Sequence, residues 1–183
     1  MIYRLFFMML LGFGLMGQSN TEAVLEWQET AQLKWSDFKG QPKNLGDVVA
    51  LTASGISFEF SIQDKNGKAV GFNSTAKAHF YPKRSWVHQK KASTHVLKHE
   101  QLHFDITELH LRKFRKAISN LKLSHQIKKE LNTTYQNINK DMAVMQKVYD
   151  QETNHSKDTV AQVFWQNKID RALKDYGNYK TTP

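Results

Sequence analysis

The sequence predicts an α+β fold in which a small antiparallel sheet is followed by three helices. Three observations carry that reading. Between residues 51 and 81 apolar side chains recur at every second position, the period of a strand with one buried face. From Ser93 onward they recur every third or fourth position, the period of an amphipathic helix. The 183 residues, 40% of them hydrophobic, suffice for one core and are too few for two full-sized domains.

The chain opens with an address. Arg4 precedes Leu5–Met16, an uncharged apolar run that is too short for a comfortable transmembrane helix and suits a secretory signal. Gly12, Gly14 and Gly17 loosen its end before the polar Gln18-Ser19-Asn20. Cleavage is expected after Gly17, leaving a signal peptide at 1–17 and a single domain at 18–183; an uncleaved signal anchor is the alternative. Residues 21–50 are mixed, with Trp35-Ser-Asp-Phe-Lys-Gly40 reading as a short strand that ends in a turn.

The strands follow. Ile56, Phe58, Phe60 and Ile62 alternate with polar residues, and so do Val70, Phe72, Ala76, Ala78 and Phe80. Both apolar sets fall on even numbers, and opposed residues of a hairpin share a face. A two-residue Asn66-Gly67 loop would set even against odd. A three-residue loop at 65–67, pairing Asp64 with Lys68, keeps even against even, so a type I turn with Gly67 left-handed as a bulge is expected. The strand over 70–81 precedes the first helix, and its exposed edge is expected to suit strand addition by an extended peptide.

The first helix is capped by Ser93 or Thr94 and carries Val96, Leu97, Leu102, Phe104, Ile106, Leu109, Leu111, Phe114 and Ile118 at helical spacing. A second is expected over 124–150. A third is expected over 158–176, with Asp158 near its start and Gly177 past its end.

The chemistry lies on the first helix, where His99-Glu100-Gln101-Leu102-His103 has the form H-E-x-x-H. At about 100° per residue the two histidines stand roughly 40° apart on one face and one turn apart along the axis. Two imidazoles so stacked suit one zinc ion. Glu100, too far round to ligate from the same turn, is placed to take a proton from a zinc-activated water, as an attack on an amide carbonyl requires. The pattern points to a hydrolase that cleaves peptide bonds.

The chain has no cysteine, which excludes thiolate ligands, a thiol nucleophile and a disulfide scaffold. A catalytic zinc therefore needs a third ligand from His, Asp or Glu, with the fourth place left to water. His110 lies about 10 Å along the helix axis from His103, too far to share the ion. Downstream, Tyr149-Asp150-Gln-Glu152-Thr-Asn-His155 sits at a helix end. His155 is the first choice there, with Glu152 or Asp150 behind it. Asp105 and Glu108 point to other helix faces and read as outer partners of the site, core-bridging acids or solvated residues. Tyr149 and Tyr81 read either as donors to a carbonyl oxygen in the transition state or as half-buried tyrosines, and Trp86 as a packing anchor.

The stretch Leu97–Leu109 resembles an uncharacterised bacterial family described as secreted zinc-dependent proteases. The resemblance extends to Trp35–Gly40, Ser85-Trp86-Val87, Tyr149–His155 and Gln162-Val-Phe-Trp165 with Ile169, and so spans about 27–175. The family's H-E-Q-x-H-F-D-I is matched at 99–106. Its Y-D-x-E-T-x-H-G is matched through His155 but has Ser156 at the glycine, a residue that enters left-handed backbone less easily. The resemblance implies a zincin-like fold, metallopeptidase activity with one zinc ion, and His155 as the third ligand.

The charge is +9. Twelve of the 26 Lys and Arg lie between Lys83 and Lys129, opposed only by Glu100, Asp105 and Glu108. The cluster reads as solvated helix faces or as attraction to an anionic envelope surface. A non-enzymatic envelope protein that binds an anionic polymer through this face is the alternative function. No nucleic-acid motif is present. The expected partner is a peptide or protein substrate, and the expected state is a periplasmic or secreted monomer.

Overall fold

The computed structural model describes residues 22–180, so the expected signal peptide at 1–17 lies outside the described residues. The chain forms β1 (Leu25–Glu26), β2 (Ala50–Leu51), β3 (Ser54–Lys65), β4 (Lys68–Phe80), β5 (Trp86–Val87), α1 (Thr94–Ser119), α2 (Ile127–Glu152) and α3 (Thr159–Asp175). The fold is α+β, with small antiparallel sheets followed by three helices, as the sequence periods require. Three strands pair in the order β1-β4-β3, and β2 pairs with β5 in a separate ribbon. No helix among the described residues is long and apolar enough to cross a membrane.

The hairpin corrects the expected turn. Lys65 pairs with Lys68, so the loop is the two-residue Asn66-Gly67, both left-handed at φ 56° and 74°. That is the backbone of a type I′ turn, whose twist matches the flanking strands. The parity conflict is resolved one step later. Gln63 faces Gly71 and Asp64 faces Ala69, so Val70 is bulged out and is 52% exposed. Below the bulge Ile62 faces Phe72 and Ile56 faces Ala78, even against even.

Two further expectations are corrected. Trp35–Asp37 is a 3-10 turn and not a strand; the Asp37 carboxylate accepts from the Lys34 N–H and closes it. The edge of β4 is not open beside the first helix. Leu25 and Glu26 pair with Phe80 and His79, the Trp27 N–H donates to the Ala78 carbonyl, and Arg115 Nη2 donates to the Ala76 carbonyl at 2.6 Å.

Ser93 caps α1, accepting from the Val96 N–H. Asp158 caps α3, accepting from the Ala161 N–H. α1 is the spine of the fold and separates two apolar clusters. One joins it to the sheet and the start of α2 through Ile56, Phe80, Phe104, Phe114, Ile127 and Leu131. The other joins it to the end of α2 and to α3 through Leu102, Ile106, Leu109, Tyr149, Trp165 and Ile169. Packed on several sides, α1 also buries His99, Glu100, Gln101, Asp105, Glu108, His110 and Arg112. A buried polar group is costly unless it is bonded, and most of these are. Glu108 pairs with Arg112, Gln101 donates to Asp105 and His110 Nδ1 donates to the Ile106 carbonyl. The exceptions on this helix are His99 Nδ1, Glu100 Oε2 and Arg112 Nη2, which have no partner.

Candidate metal centre

The helical spacing of His99 and His103 brings their Nε2 atoms to 3.2 Å of each other. The last turns of α2 pass over them. Asp150 Oδ1 lies 3.2 Å from His99 Nε2 and 3.1 Å from His103 Nε2. Three donor atoms thus meet at nearly equal spacing. Ligands placed tetrahedrally at about 2.0–2.1 Å from one zinc ion stand roughly 3.3 Å apart, so this group of one carboxylate and two imidazoles fits such an ion. The His99-His103-Asp150 cluster can hold a metal ion.

The surroundings fix these side chains. Tyr149 is fully buried; its ring stacks on His99 at 4.5 Å and meets His103 edge-on at 4.9 Å. Gln146, one turn before Asp150, receives His103 Nδ1 on its Oε1. Its Nε2 donates to the His103 carbonyl at 2.8 Å, which sets which way round the amide lies. His103 therefore carries a proton on Nδ1 and turns Nε2 towards Asp150. Burial pulls His99 below the ordinary histidine range despite the Asp150 hydrogen bond. Burial also pulls on His103, but the hydrogen bond to Asp150 and the charges of Glu100 and Asp150 leave it raised. Burial opposes ionisation of Asp150, yet the His103 and His99 hydrogen bonds hold its carboxyl well below the usual carboxylate range. Burial raises the Tyr149 phenol far above its usual range, so Tyr149 stays neutral.

The cluster opens into a cavity of about 450 Å³. Glu100 lines it beside His99 and His103, and residues 48–54 form the opposite wall. Glu100 is buried, and its backbone carbonyl accepts from Thr52. The wall segment takes the place beside the site that the sequence assigned to the edge of β4.

The other expected residues divide by position. His155 stands at the rim of the same cavity, 57% exposed, with Nδ1 3.7 Å from Asp150 Oδ1. It is the middle one of three consecutive left-handed residues: Asn154, His155 and Ser156 have φ of 46°, 51° and 70°. The His155 N–H donates to the Asp150 carbonyl, and His95 Nε2 donates to the Ser156 carbonyl at 2.6 Å. Glu152 points away and accepts from the Trp165 indole N–H. The Tyr149 hydroxyl lies 3.4 Å from the His99 carbonyl, which makes it part of the support under the imidazoles. Asp105 faces the other side of α1, accepting from Trp27 and Gln101. Tyr81 lies under the Arg84 guanidinium. Sequence reasoning missed Gln146 and ranked Asp150 behind His155. The available signal was the helical spacing of Met142, Gln146 and Asp150, which share a face of α2 and line the cavity. Within the basic stretch, Arg112 is buried against Glu108 and Arg115 bonds to the Tyr179 and Ala76 carbonyls. The exposed charge is carried by Arg84 and the lysines on either side of α1, together with Lys98 and Lys116 on the helix itself.

No curated protein and no solved structure matches the chain. A sequence profile described as a bacterial protein of unknown function matches residues 31–156, from before the 3-10 turn to the end of the left-handed run. That is more than half of the sequence, and the chain belongs to this bacterial family of unknown function, DUF922.

Proposed function

We propose that this protein is an exported zinc-dependent metallopeptidase that hydrolyses peptide bonds. The observation that carries the reading is the meeting of His99, His103 and Asp150 in one cavity with Glu100 of the same helix. The two imidazoles and the Asp150 carboxylate would hold the ion, with His155 above them. The helix-borne motif following a sheet supports a zincin-like arrangement. Zinc held there would supply Lewis acidity and acidify water.

The chain's own residues supply the rest. Glu100, whose Oε2 has no partner in the protein, accepts the proton of the attacking water and returns it to the leaving amine. Gln146 and Tyr149 keep the imidazoles in place. The 48–54 wall, where β2 pairs with β5, lies along the cavity as a guide for an extended substrate. The apolar run at 5–16 supports export.

The test is metal content followed by activity. The purified protein is expected to hold about one zinc ion, and Glu100→Gln to keep the zinc while losing at least about 100-fold in cleavage of a mixed peptide library. Failure to retain stoichiometric zinc after exposure to it overturns the reading. Equal inertness of the native and Glu100→Gln proteins removes the peptidase and leaves the metal site. Asp150→Ala is expected to lose more zinc than His155→Ala; the reverse order returns the third place to His155. Binding of an anionic polymer through the basic 83–129 stretch, the alternative, rests on its exposed lysines and predicts an affinity that falls with salt.

A further inference from the structure

A second cavity, of about 520 Å³, lies on the opposite side of α1, between α1, the later turns of α3 and residues 27–33. Leu33, Leu97, Leu173 and the Trp27 indole make its wall apolar. Charges of both signs also line it: Lys98, Arg112 and Lys174 against Glu29, Asp105 and Asp170. Two of these are buried and incompletely bonded. Arg112 is 2% exposed. Its Nε donates to Glu108 and its Nη1 to the Leu173 carbonyl, but its Nη2 is buried with no acceptor. Asp105 is 6% exposed and takes the Trp27 and Gln101 hydrogen bonds on the same oxygen, Oδ1. Its other oxygen, Oδ2, is spare. The Trp27 ring links the two, bonded to Asp105 through its N–H and lying 5.2 Å from the guanidinium carbon of Arg112.

An uncharged apolar guest would leave the Arg112 donor unmet, and buried donors are nearly always met. A simple anion would face three carboxylates, and a simple cation would face Arg112 and two lysines. A molecule carrying both charges satisfies both ends. Asp105 and Arg112 project from one helix two turns apart, and both meet the Trp27 ring, so one small molecule can reach both.

We propose that this cavity binds a zwitterion, a free apolar amino acid or a dipeptide, with its carboxylate on Arg112 Nη2 and its ammonium on Asp105 Oδ2 beside Asp170. The apolar side chain lies against the leucines and Trp27. The site stands on the far face of α1 and is independent of the zinc reading.

The test follows the Trp27 indole N–H resonance of the labelled, purified protein during titration with L-leucine and with Leu-Leu, beside N-acetyl-leucine and leucinamide. At least one of the two zwitterions is expected to give a saturable shift, and the tighter of them fixes the ligand's length. Capping either end is expected to weaken binding at least about tenfold, since each cap leaves a buried group unmet. Asp170→Asn, a change at the exposed rim, is expected to weaken the zwitterion at least about threefold and to leave N-acetyl-leucine unchanged. Arg112→Lys is expected to weaken leucine and N-acetyl-leucine alike. Should that variant not fold, the capped ligands and Asp170→Asn decide. No saturable shift up to about 10 mM, or equal affinity for leucine and both capped forms, overturns the proposal.

Discussion

The two sides of α1 use the same residue types to opposite ends. On the side facing α2, Asp150 lies between two imidazoles, and burial is outweighed by their hydrogen bonds, so the carboxyl is held low. On the side facing α3, Asp105 is buried with only neutral donors on it, and burial wins, pushing its carboxyl up to about 6. Burial disfavours an ionised carboxylate wherever it occurs; the sign of the shift depends on whether a group able to carry positive charge sits beside it. The first side gathers donor atoms of one kind at a point, as a metal ion requires. The second spreads charges of both signs along a wall.

The largest expected effect breaks the second side. Arg112→Met leaves Glu108, its partner at 2.8 Å and equally buried, as an unpaired charge, and should cost about 3–5 kcal/mol in denaturant unfolding. A cost below about 1 kcal/mol would show that the pair is not an interior one. Next, Gln146→Leu removes the acceptor for His103 Nδ1 and should weaken zinc binding by about 10–100-fold without loss of fold, as read by chelator competition. An unchanged affinity would mean that Tyr149 alone orients the ring.

Asp105→Asn sharpens the contrast between the carboxylates. The Asp105 carboxyl is raised in the folded protein, from 3.8 to about 6, so the native protein favours its protonated form. Its contribution is fully present below the unfolded pKa and is lost as pH rises through about 6. The asparagine variant does not ionise, so its stability relative to native should climb between pH 4 and pH 7 by on the order of 2 kcal/mol. A flat difference across that range would show that Asp105 is not desolvated. The smallest effect is at the rim. Ser156→Gly should relieve left-handed backbone and stabilise the protein by about 1 kcal/mol. A destabilisation would show that the Ser156 side chain contributes more than its backbone costs.

The sequence made the periodic parts of the molecule legible. The two strand arms, the Ser93 and Asp158 caps and the shared face of His99 and His103 are all local patterns, and each appears where its period places it. The hairpin shows where such reasoning stops. The need to keep even residues opposite even ones was correct, but an extra residue can enter the loop or the strand with the same effect on parity. Here the favourable twist of Asn66-Gly67 keeps the loop short and places the bulge at Val70. The third member of the metal cluster was less legible, because it depends on how far α2 runs past α1. With α2 helical to Glu152, Asp150 projects from the helix onto the imidazoles, whereas His155 lies beyond its end in the left-handed turn. Gln146 was hidden for the same reason: its importance comes from a contact across 43 positions.

The side-chain bonds that close the sheet bear on solubility. Strand edges with free peptide groups invite pairing with another chain. Near the base of the hairpin both edges are met by side chains or backbone from elsewhere: the Tyr135 hydroxyl donates to the Ile56 carbonyl of β3, while Arg115 and Trp27 donate to Ala76 and Ala78 of β4. Towards the tip, the strands instead carry Glu59, Asp64, Lys65 and Lys68 and the kink at Val70, features that discourage flat edge-to-edge stacking. Among the described residues, the two longest strands, rich in phenylalanine and isoleucine, are thereby guarded near both ends against edge-to-edge pairing.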